Sequence, residues 1–128
     1  MSRVGSSCVS IASVRACQSR LVRMRMFGAT PAAVEALESE LAELSAHLEA
    51  ATHRQLSLIR ELEPTGIWAL HGARSFAGWL SWRIGLAPGA AREKIRVARA
   101  LGKLAAIDDA FRAARLSYSK VRALTRVA

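Results

Sequence analysis

The chain has 128 residues, 52% of them hydrophobic but only 5% aromatic, so its apolar content is mostly Ala, Leu and Val, which favours helices over sheets in a domain with a modest core. A formal charge of +9 suits an anionic partner, nucleic acid or an anionic membrane surface. No apolar run reaches the roughly 18 residues of a membrane span, which excludes that class, and Cys8 and Cys17 show neither zinc-ligand spacing nor a disulfide framework, which fits a reducing cytoplasm.

The charge is divided along the chain. Residues 1–30 carry five Arg and no acid, residues 31–64 two Arg against seven Glu, and residues 65–128 twelve Arg and Lys against three acids. The stretch 1–29 reads as a disordered basic tail or as translated sequence ahead of the true start. Its Arg- and Ser-rich, acid-free composition also has a loose likeness to an organelle transit peptide. The helical domain is expected over 30–128.

Thr30 and Pro31 open the clearest element, as cap and first helical residue. Apolar residues follow at Val34, Leu37, Leu41, Leu44, Leu48 and Ala51. Gln55 interrupts this heptad-like row, and Leu58 and Leu62 resume it before Pro64 and Gly66 end the helix. Two readings stand: a long helix packed on its own domain, or one that also forms a homodimer through residues 31–62.

Ser75 then caps a short helix to Ile84, with Gly85 suited to a left-handed turn. Pro88 opens the next helix, expected to reach about Lys103. The pair joined by "GLAPG" is compatible with a helix-turn-helix. On the second helix Arg92, Arg96, Arg99 and Lys103 fall within about 60° of arc at ~100° per residue, with Glu93 off to the side. This cationic ridge is either a phosphate-binding face or a basic solvated face. A third option pairs part of it with Glu35 to Glu49. Arg122 and Arg126, one helical turn apart, are a second candidate pair. Trp68, Trp79 and Trp82 read as core anchors more than base-stacking residues, with Trp79 and Trp82 on one side of the short helix.

A short helix is expected from Ile107 to Arg115, with Asp108 and Asp109 as helix-start residues. A last helix is capped by Ser117, and its pattern is still running at Ala128, so the domain is expected to be incomplete at its C-terminus. The fold is all-α, one long helix followed by several short ones.

Reactive chemistry is sparse. His47, His53 and His71 have no second ligand at metal spacing, no Gly-rich phosphate loop is present, and the chain contains no Asn. No catalytic residue, metal, cofactor or small-molecule substrate is called for.

The segments "HGARSFAGWLSWRIGLAPGAAREKIRVARALGKL" and "LSYSKVRALTRVA" closely resemble the bacterial domain of unknown function 222. That is the helical part of the 13E12 repeat proteins, and it commonly precedes an HNH endonuclease module. The resemblance covers about residues 32–128. It implies a helical domain in a DNA-processing setting, with nuclease chemistry in a downstream His-Asn-His module that needs a divalent metal. A chain without Asn cannot hold that motif, so no family catalytic residue transfers. Ala87 stands where a capping Ser is common. The expected function is a non-catalytic, DNA-binding accessory domain of an HNH-endonuclease-like protein. The alternatives are an interaction or dimerisation module, or a degenerate gene fragment without activity.

Overall fold

The computed structural model describes residues 28–128, so the expectation of a disordered tail lies almost wholly outside the described residues. Among the described residues six α-helices follow in order: α1 Pro31–Leu62, α2 Ile67–Leu70, α3 Phe76–Ile84, α4 Pro88–Leu101, α5 Ala105–Arg112 and α6 Tyr118–Val127. A 3₁₀ turn, Glu63–Thr65, links α1 to α2, and no strand occurs among the described residues. The all-α expectation holds. The chain divides into two units, with the boundary between Glu43 and Leu44.

In the first unit, Thr30 Oγ1 accepts from the Ala33 amide at 3.2 Å and so satisfies one of the free N–H groups that open α1. Leu37 and Leu41 are exposed there.

The second unit holds the core. Leu56, Val97, Phe111 and Val121 are its largest fully buried side chains. Burying each contributes about 1.5–3 kcal/mol. The central element is α4, which packs against α3, α5 and α6. It buries Ala91, Ile95, Val97, Ala98 and Leu101, and the small Ala residues let neighbouring helices approach closely. From α1, His53, Leu56 and Ile59 face this core.

Local signals set most helix ends. Ser75 is extended (φ −152°, ψ 155°) and accepts from the Gly78 amide at 3.0 Å, while Gly85 takes the left-handed φ of 69° that closes α3. Ala87 precedes α4 with no side-chain cap, and Ser117 caps α6 by accepting from Lys120 N at 3.5 Å.

Helix α1 packs on its own domain through His53, Leu56 and Ile59, whereas Leu44, Leu48, Leu58 and Leu62 of its apolar row are exposed. Three expectations need correction. Trp79 is buried as expected, but Trp82 is 73% exposed, because the core-facing side of α3 is narrow and ends at Phe76, Trp79 and Leu80. Helix α4 stops at Leu101, so Lys103 leaves the ridge. Gly102 is a weak helix former, and a Cβ there would meet Arg60 Cδ at 3.2 Å. Helix α5 starts earlier than expected and ends at Arg112, followed by Ala114 with φ 56°, a left-handed turn that nothing in an Ala signals.

Candidate nucleic-acid interface

The ridge residues divide into two groups in the folded domain. Arg96 grips Glu93 with two hydrogen bonds, Nε to Oε2 at 3.0 Å and Nη2 to Oε1 at 2.8 Å. Its Nη1 donates to the Thr125 carbonyl at 3.3 Å, and Nη2 to the Arg122 carbonyl at 3.3 Å. A cation against carbonyls near the end of α6 also offsets the negative pole of that helix. Arg122 Nε and Arg126 Nη2 each donate to Glu93 Oε1 at 3.2 Å. Glu93, expected off to the side, is therefore the hub of a cluster that ties α4 to α6. The Arg96 hydrogen bonds, reinforced by Arg122 and Arg126, hold its carboxyl down to about 2. Three guanidiniums around one carboxylate leave two positive charges uncompensated.

Arg99 turns the other way and pairs with Glu63, its Nε donating at 3.0 Å and its Nη2 also bound. That pairing lowers the Glu63 carboxyl as well. The Arg99 Nη1 donors have no partner among the described residues. Arg92 and Lys103 likewise have no side-chain partner there. Within the second unit, Glu49 pairs with no ridge residue. Glu49 instead accepts from the Tyr118 amide at 2.8 Å, at the positive end of α6.

Beyond the first turn of α4, only Arg92 and Arg99 are exposed. Both line a cleft of about 480 Å³ together with Arg74, Arg96, Glu63 and Trp68. Ser75, Phe76 and Ala77 at the start of α3 complete one wall, so the positive pole of that helix adds to the arginine field. Arg74 was not anticipated from the sequence, since it lies in the loop before α3 and only the packing of α3 on α4 brings it beside Arg92. Its side chain has no partner among the described residues. The cleft thus brings together Arg74 and Arg92, which have no side-chain partner among the described residues, and the unused Nη1 donors of Arg99, groups of the kind that donate to an oxyanion.

One buried polar group was also missed. His53 Nε2 lies 2.9 Å from Asp108 Oδ1, and Asp108 Oδ2 accepts from Arg112 at 3.0 Å. His53 packs edge-on to Phe111, with ring centroids 5.5 Å apart. Asp108 sits in the first turn of α5 as expected, but it also fastens α5 to α1. Among the described residues no group of three or more His, Cys, Asp or Glu side chains comes together to hold a metal, and no helix is long and apolar enough to cross a membrane.

Fold and site together define a small all-α domain with an arginine-lined cleft. Residues 37–128 match the family described as Domain of unknown function (DUF222), and the chain belongs to that family. No curated protein and no solved structure matches it.

Proposed function

We propose that this domain binds nucleic acid by its phosphates, at the cleft of Arg74, Arg92 and Arg99, with Lys103 and the cationic surplus of Arg122 and Arg126 extending the field. Its proposed role is to hold an HNH-type nuclease on DNA, with cleavage supplied by that module. The carrying observation is the cleft itself, where two unpartnered arginines and one with free donors converge. Arg96 belongs to the scaffold in this reading, because its donors are already engaged.

The exposed strip of α4 is narrow. It suits contact with the backbone more than insertion of a recognition helix into the major groove, which exposes a broad helix face. Binding by phosphate contacts tolerates many sequences and weakens steeply with salt.

The test is fluorescence anisotropy of the chain with a labelled random-sequence duplex across a salt series, with circular dichroism on every protein. Wild type is expected to bind at micromolar concentration. Arg74→Glu/Arg92→Glu is expected to remain helical, to weaken binding at least about tenfold, and to flatten the log–log salt slope by about 0.9 for each phosphate no longer neutralised. Equal binding by the folded variant, or none by wild type, would remove this reading. A single-stranded RNA competitor then ranks RNA against DNA.

A further inference from the structure

A second surface lies apart from the cleft and shares no residue with it. Between α1 and α3 runs a groove of about 490 Å³ with a floor that includes Ala51, Leu58, Leu62, Leu80 and Ile84, rimmed by Arg54 and Arg83. Leu58, Leu62 and Ile84 are 40%, 36% and 43% exposed. The polar break in the row, Gln55, is satisfied at the floor, its Oε1 accepting from Lys94 Nζ at 2.7 Å. Arg54 reaches Glu61 only at 3.4 Å, and Arg83 has no partner among the described residues.

A groove with an apolar floor and cationic rims fits an amphipathic helix with acidic flanks. The chain itself encodes such a helix. Residues 31–44 carry Glu35, Glu38, Glu40 and Glu43, no basic residue, and the apolar row Val34, Leu37, Leu41 and Leu44. We infer that this groove docks the first half of α1 from a second copy of the chain, in a two-fold antiparallel dimer centred on Leu44 and Leu48.

Heptad register carries the choice of partner and direction. Read as alternating core positions, Val34, Leu41, Leu48, Gln55 and Leu62 alternate with Leu37, Leu44, Ala51 and Leu58. Run antiparallel about Leu44 and Leu48, the layers pair Leu44 with Leu48, Leu41 with Ala51, Leu37 with Gln55, and Val34 with Leu58 of the opposite copy. Glu40 then faces Arg54 across the seam, and two-fold symmetry repeats that contact. A parallel pair would set the acidic halves side by side, with no opposite-charge contact across the flanks.

Sedimentation equilibrium of the full chain over a micromolar concentration series is the test. The expected result is a mass of two chains. Leu48→Lys, on an exposed position, is expected to give a folded monomer by circular dichroism. Glu40→Arg and Arg54→Glu are each expected to weaken the dimer about tenfold, because symmetry places every reversal twice. The two together are expected to restore it. A monomeric wild type, a dimer that survives Leu48→Lys, or failure of the double reversal to restore association would overturn the inference. Nucleic-acid binding read in parallel on Leu48→Lys separates this result from that of the cleft.

Discussion

Helices α1 and α4 carry the same kind of pattern and put it to opposite use. In α4 the apolar side is covered by three other helices, and on the charged side Arg96 is paired with Glu93 and Arg99 with Glu63, while Arg92 has no side-chain partner among the described residues. In α1 the apolar row through Leu44, Leu48, Leu58 and Leu62 is left in solvent, and the core takes a neighbouring strip at His53, Leu56 and Ile59. Amphipathic spacing reports that a helix has an apolar face. It does not report whether the partner of that face lies in the same chain. The heptad row of α1 and its core strip at Leu56 and Ile59 are different faces of the helix.

The largest test of this contrast is a pair of truncations. Leu101→Ala removes a buried α4 side chain and is expected to cost about 2–5 kcal/mol in urea denaturation. Leu48→Ala removes an exposed one, and in dilute monomeric protein it is expected to change stability by no more than about 0.5 kcal/mol. A large destabilisation by Leu48→Ala under those conditions would break the comparison by showing that the row is covered within one chain.

Next in size is the split within the ridge. Glu93→Gln is expected to destabilise by about 1–3 kcal/mol, since it leaves Arg96, Arg122 and Arg126 without their carboxylate. The effect depends on pH. An unfolded Glu titrates near 4.3, whereas folded Glu93 is held to about 2. The stabilisation is therefore complete above about pH 4.3 and is lost as pH falls toward 2. Urea midpoints between pH 6 and 2 should converge for wild type and Glu93→Gln. Midpoints that stay apart in parallel would mean that the carboxylate charge is not what holds the cluster. Arg92→Ala, by contrast, is expected to leave stability within about 0.5 kcal/mol while weakening duplex binding.

The smallest effect is at Ala114. With φ 56° it holds a conformation that costs an L-residue roughly 1 kcal/mol, so Ala114→Gly is expected to raise stability by a few tenths to about 1 kcal/mol. A lower thermal midpoint for the glycine variant would show that the turn is not under strain.

What the sequence alone determined is local. Thr30, Pro31, Ser75, Gly85, Pro88 and Ser117 mark helix ends because caps, φ restrictions and left-handed turns act within a few residues. At Gly102, which keeps right-handed φ and ψ (−61°, −19°), and at Ala114, whose left-handed φ nothing in an Ala signals, the boundary was not legible. The all-α class and the narrow arc of Arg92, Arg96 and Arg99 were legible for the same reason of short range. Tertiary structure decided which charges remain free. Glu93 meets Arg122 and Arg126 across 29 and 33 residues, and His53 meets Asp108 across 55. Arg74 reaches the cleft only because α3 packs on α4. Pairing over such separations depends on how helices cross, and helical periodicity carries no information about crossing, so the one-dimensional pattern showed a uniform ridge where the folded domain has a scaffold arginine, a hub carboxylate and an open cationic cleft.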